Sequence, residues 1–156
     1  MGSGSSIAPP PANAKTDSKF KRERCHSAAT RLMNAYTAPM GHLSTHVLDT
    51  AHGCPAAGMQ VTLQRMETGG PVMVKQLALN ADGRADGPLL DSAEMAVGRY
   101  RLLFEVAPYF KARGISLPEP PFIDSVQLDF GIADAAGHYH VPLLVSPWAY
   151  STYRGS

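Results

Sequence analysis

From Gly41 onward the chain is written in short runs that alternate apolar and polar residues, each closed by glycine, proline, asparagine or aspartate. A side-chain period of two is the signature of half-buried strands, and it excludes a helical bundle for this part of the chain. In Met59–Glu67, Met59, Val61 and Leu63 face one way while Gln60, Thr62 and Gln64 face the other. The same pattern points Tyr100, Leu102, Phe104 and Val106 inward on a segment opened by Gly98, and Phe122, Val126, Leu128 and Phe130 inward on a later one. Further strands are expected at 43–50, 72–79, 138–146 and 149–154. Seven or eight such segments with turns between them suit an all-β sandwich. Only 108–113 reads as helical: Pro108 fits a first turn, Tyr109, Phe110 and Ala112 follow, and Gly114 supplies a stop. Cys54 falls in an expected turn.

Residues 1–40 differ in kind. They are rich in Ser, Gly, Pro, Ala, Lys and Arg with no sustained apolar period, and so read as a flexible leader before a single domain at 41–156. The opening Gly-Ser run is typical of a linker. The basic cluster Lys19, Lys21, Arg22 and Arg24 is interrupted by Glu23 and reads as a solvated tail. Fourteen Lys and Arg against thirteen Asp and Glu leave a net charge of +1, no footprint for nucleic acid, so a small or neutral ligand is the expected partner. No apolar run approaches the ~20 residues that cross a bilayer, and no secretory leader is evident, which makes the cytoplasm the expected location. The two cysteines, Cys25 and Cys54, read as free thiols.

Histidines carry the chemistry. His42, Ser44 and His46 share the polar face of the first strand, with His46 in mid-strand, and His138 and His140 share a face of a later one, about 7 Å apart by strand rise. Imidazole is the usual group for moving a proton at neutral pH, and His140, next to the apolar run Val141–Val145, is the better sheltered of its pair. Each is equally compatible with a structural hydrogen bond. A zinc site needs three or four converging ligands, and the spacing gives no such convergence, so no metal is expected. His26 and His52 are expected to face water. Arg84, in the turn Asn80-Ala81-Asp82-Gly83-Arg84, could present its guanidinium to carbonyl oxygens and to the charge formed when a carbonyl is attacked. No nucleophile elbow, phosphate loop or dinucleotide fingerprint occurs.

Five stretches taken in order, His42-Leu43-Ser44-Thr45-His46-Val47-Leu48-Asp49-Thr50, Gly53-Cys54-Pro55-Ala56, Asp82-Gly83-Arg84, His138-Tyr139-His140-Val141-Pro142-Leu143-Leu144 and the terminal Ser151-Thr152-Tyr153-Arg154-Gly155-Ser156, closely resemble the 5-hydroxyisourate hydrolases, the transthyretin-like enzymes of purine breakdown. The resemblance spans 42–156 and departs only modestly, at Trp148 and Cys54. It implies a transthyretin-type sandwich of two four-stranded sheets with one short helix, assembled as a homotetramer with sites at a subunit interface. It further implies that His46, Arg84, His140 and Tyr153 line a site that opens the ring of 5-hydroxyisourate with activated water and no cofactor. Ser156, by its carboxylate or hydroxyl, would fix the terminal strand or contact Arg84 or a histidine. The contrasting expectation on the same fold is a carrier of flat aromatic ligands that turns nothing over.

Overall fold

The computed structural model describes Met1–Gly2 and Gly41–Gly155. The leader, with Cys25, His26 and the basic cluster, lies outside the described residues, as does Ser156. Within Gly41–Gly155 the strands are β1 (His42–Asp49), β2 (Cys54–Pro55), β3 (Gln60–Glu67), β4 (Gly70–Ala78), β5 (Gly98–Glu105), β6 (Ser125–Ile132), β7 (His138–Val145) and β8 (Tyr150–Thr152), with helix α1 (Val106–Ala112) after β5. They form two four-stranded sheets, ordered β2-β1-β7-β8 and β4-β3-β5-β6. The all-β sandwich with one short helix is therefore the observed fold.

The alternation sorts each strand as the period of two requires. Leu43, Thr45, Val47 and Asp49 of β1 and Tyr139, Val141, Leu143 and Val145 of β7 point inward against Met59 just before β3, Val61 and Leu63 of β3, and Tyr100, Leu102 and Phe104 of β5. Each fully buried large apolar side chain contributes about 1.5–3 kcal/mol relative to exposure. Outward on the first sheet stand His42, Ser44, His46 and Leu48, beside His138, His140 and Leu144. β1 and β7 run parallel, with Ser44 opposite His140 and His46 opposite Pro142.

Three expectations need correction. Phe122 was expected in the core, but it is 74% exposed, because β6 begins only at Ser125 and the Pro118–Phe122 stretch is a loop. Cys54 lies in a two-residue strand that pairs with the end of β1, too short to show any period. Its thiol is free. The helix begins at Val106, which places Pro108 third. Its missing N–H is one of those unused at a helix start, and the N–H groups of Val106 and Ala107 donate to Asp124 O at 3.1 and 2.8 Å. At the other end Ile115 N–H donates to Phe110 O and Gly114 N–H to Lys111 O, with Gly114 at φ +82°, a Schellman closure around the expected glycine.

Asp49, fully buried, organises the end of β1. One carboxylate oxygen accepts from the N–H groups of Ala51 and His52, both at 3.0 Å, and the other accepts from Tyr109 Oη at 3.0 Å and lies 2.6 Å from His52 Nδ1. Burial pulls the Asp49 pKa upward, but the hydrogen bonds from His52 and Tyr109 outweigh it and hold the carboxyl below its ordinary value. Burial and the same carboxylate push the Tyr109 hydroxyl up to about 12. His52, expected to face water, is exposed and also pairs with Asp49.

Candidate active site

His46 stands outward in the middle of β1, where the sheet fixes its backbone. Arg84 reaches it from the turn at Asn80. Asn80 Oδ1 accepts from the N–H groups of Asp82 and Arg84, at 3.0 and 3.1 Å, and Gly83 N–H donates to Asn80 O. The turn is then buttoned to β1 by Val47 N–H donating to Gly83 O at 2.9 Å. Only glycine fits there: φ is +67°, and a Cβ would fall 2.5 Å from the Val47 carbonyl oxygen. The result is a bridge between His46 and Arg84, with Arg84 Nη2 3.4 Å from His46 Nδ1. Arginine can only donate, so this nitrogen of His46 is bare and accepting.

His140 stands on the same outer face, one strand across. Ser44 Oγ lies 3.0 Å from its Nδ1 and so fixes the ring plane. From behind, Gly155 N–H donates to the His140 carbonyl at 2.9 Å. A Cβ on Gly155 would come within 2.6 Å of His140 Cδ2, so the terminal segment lies flush on the ring because it has no side chain there. Burial, then the positive charge of Arg84, lowers the pKa of both imidazoles below the ordinary 6.5. For His46 the Asp82 carbonyl and carboxylate pull the other way without prevailing, and for His140 the neighbouring His46 and His42 add to the lowering. Both rings are consequently neutral at pH 7 and able to accept a proton.

Beside them lies a depression of about 480 Å³ lined by His42, Ser44, Arg84, His138, Tyr139 and His140, which His46 adjoins through its contact with Arg84. Tyr139 forms its inner wall, with its hydroxyl accepting from the N–H groups of Ala133 and Asp134. The site is thus assembled from β1, the 80–84 turn, β7 and the tail. Within one chain the structure brings His46, Arg84 and His140 together. Tyr153 is 60% exposed and lines a different depression, of about 510 Å³, with Leu128, Phe130, Val141 and Arg154. Ser156 cannot be placed among the described residues. Reading from sequence passed over Ser44 and Gly155 as site residues. Ser44 was visible on the His46 face, but its pairing with His140 needed the parallel register. Among the described residues no three or more His, Cys, Asp or Glu side chains gather as a metal site.

A sandwich of two four-stranded sheets that carries neutral imidazoles and a guanidinium on one outer face has the fold of transthyretin and the side chains of an acid–base catalyst. The chain belongs to the HIUase/Transthyretin family, whose model matches residues 43–155. It is 52% identical over 118 residues to the 5-hydroxyisourate hydrolase of Pseudomonas aeruginosa, an alignment covering 76% of this chain and 94% of that one. Among solved structures, the 5-hydroxyisourate hydrolase of Klebsiella pneumoniae matches with a TM-score of 0.61 and 35% identity, over 74% of this chain and 94% of that one. Transthyretin from Sparus aurata matches at a TM-score of 0.65 and 24% identity, over 72% of this chain and 95% of that one, a likeness of fold alone.

Proposed function

We propose that this chain is a 5-hydroxyisourate hydrolase of urate breakdown. The observation that carries the reading is the meeting of two neutral imidazoles with one guanidinium on one outer sheet face, since a carrier of flat ligands has no need of proton acceptors there. His46 and His140 hold a water molecule and take its proton as its oxygen adds to the cyclic amide carbonyl. Arg84 donates to that carbonyl oxygen and stabilises the negative charge it acquires. Collapse of the tetrahedral adduct breaks the ring C–N bond, and the proton returns to the leaving nitrogen, giving 2-oxo-4-hydroxy-4-carboxy-5-ureidoimidazoline. No cofactor enters the reaction.

The oxyanion contact is of a kind worth roughly 3–4 kcal/mol, and acid–base catalysis of this type about 100- to 10,000-fold in rate. Tyr153 orients the substrate ring, and Ser156 steadies the tail or binds substrate. In its own chain Tyr153 lies in the second depression with the exposed ring of Tyr150, which supports a homotetramer in which sites form between subunits. A pocket closed by a second copy also excludes bulk water from the charged adduct. The enzyme works in the cytoplasm.

Following the ultraviolet decay of freshly generated 5-hydroxyisourate tests this directly. Wild type accelerates the decay, and His46→Ala, Arg84→Ala and His140→Ala each slow it at least ~100-fold with the fold retained. Tight binding of substrate with no acceleration by the wild type establishes the carrier instead. Size-exclusion chromatography with the assay run across dilution tests the assembly: full activity in a monomer overturns the interfacial site.

A further inference from the structure

Two imidazoles at the rim of the depression take no part in the hydrolysis. His42 opens β1 and His138 opens β7, and the parallel register sets them directly opposite each other on the outer face. Their Nδ1 atoms lie 2.6 Å apart, with ring centroids 4.4 Å apart and planes inclined at 63°. Among the described residues neither ring has another hydrogen-bond partner, in contrast to His46, His52 and His140. Two such nitrogens cannot both carry hydrogens at that distance. Nor can two bare lone pairs face each other, so either one ring donates its N–H to the other or a cation lies between them.

We propose that His42 and His138 form a two-nitrogen site for a late first-row divalent transition metal, Cu²⁺ foremost. Neutral imidazole suits Cu, Ni and Zn, and affinity along the row peaks at Cu²⁺. With metal–nitrogen distances of about 2.0–2.1 Å, neighbouring ligands stand about 2.9 Å apart in a square plane and about 3.3 Å apart in a tetrahedron. The observed 2.6 Å lies nearer the square arrangement, so small ring rotations suffice. Both Cα atoms are held by adjacent strands of one sheet, so little backbone freedom is lost on binding. The rim position has a consequence for the hydrolase reading, on which this second part rests. His138 is two residues from His140 and shares the depression with it and Arg84, so a bound dication narrows the entrance and adds positive charge beside His140.

Cu²⁺ titration followed by calorimetry and electron paramagnetic resonance tests the site, on protein carrying Cys25→Ser and Cys54→Ser so that thiols do not contribute. The expected result is micromolar binding with a two-nitrogen spectrum. His42→Ala and His138→Ala each weaken it at least tenfold, the double variant is no worse than either single one, and His46→Ala leaves it unchanged. Absence of binding below about 100 µM, or binding that survives in the double variant, overturns the site and leaves a shared N–H···N contact. In the decay assay Cu²⁺ slows wild type as the site fills, while His42→Ala, compared with its own metal-free rate, resists. Binding without slowing overturns the rim effect alone. A wild type that never accelerates the decay sinks the hydrolase reading, and the titration still decides the metal site.

Discussion

Replacing Gly155 with alanine adds one methyl group against His140 and tests whether the tail positions that ring. The added carbon falls 2.6 Å from His140 Cδ2, 3.0 Å from Cβ and 3.1 Å from Cγ. Carbon atoms in favourable contact stand about 3.5–4.0 Å apart, so the overlap approaches 1 Å. His140 Cβ cannot retreat, because β7 is paired on both edges, to β1 and to β8. Two adjustments remain. The tail lifts and loses the 2.9 Å bond from Gly155 N–H to His140 O, a cost of about 1 kcal/mol. Alternatively the imidazole turns away from Ser44, losing a bond of similar worth and about 0.5–1.5 kcal/mol of rotamer energy. The smaller cost bounds the loss of stability near 1 kcal/mol, a fall in Tm of about 4 °C for a domain of this size. Activity suffers more, since a misplacement of about 1 Å at a reacting group costs on the order of 100-fold, or about 2.7 kcal/mol. The assay pairs steady-state decay of 5-hydroxyisourate with thermal unfolding and with the ring resonances of His140. Deletion of residues 155–156 removes the strap without crowding the ring and separates the two adjustments. A Gly155→Ala protein with kcat within twofold of wild type and an unmoved His140 resonance refutes the reasoning.

The acid limb of the rate–pH profile falls below 6.5, because burial and Arg84 lower both His46 and His140 and the protonated rings are inactive; an acid limb above 6.5 contradicts the neutral pair. The same shifts act on stability: the unfolded imidazoles bind protons more readily, so their contribution is present above 6.5 and is lost as pH falls through the folded values, a slope that urea melts of wild type and His46→Ala across pH 5–7 compare. Asp49→Asn replaces an acceptor of four hydrogens by a group that must donate toward Tyr109 and His52, and costs about 2–3 kcal/mol in urea unfolding, against about 1 kcal/mol for Tyr109→Phe. Equal losses in the two variants contradict the shared carboxylate. Gly83→Ala meets both the positive φ and the Val47 carbonyl, so about 3 kcal/mol or more is lost along with the placement of Arg84. A variant that keeps wild-type stability denies the turn its role as a button.

Much of this architecture is legible in the chain because strand alternation is a local property. Leu43, Val47, Val61, Leu102 and Leu143 announce their faces without reference to any partner. Phe122 misled because its spacing from Val126 continues the period back into the loop that follows Pro120 and Pro121, and spacing alone does not show where pairing begins. The residues proposed for the site were named from the order of the motifs. Its contacts were not, since Ser44 meets His140 and His42 meets His138 only through the parallel register, which no local pattern encodes. The histidine-bearing faces of β1 and β7 could be read from the residues, whereas the flush seat of Gly155 depends on an absent side chain.

The lengthwise parallel pairing of β1 with β7 also dictates when the molecule can become itself. Ser44 and His140 are neighbours in space but 96 positions apart along the polypeptide. During synthesis β1, apolar on one side, must wait for those 96 positions to be added before its permanent neighbour emerges. Such distant closure slows folding and prolongs exposure to unwanted association. Gly155, later again in the sequence than β7, takes its seat on His140 only after that strand has emerged.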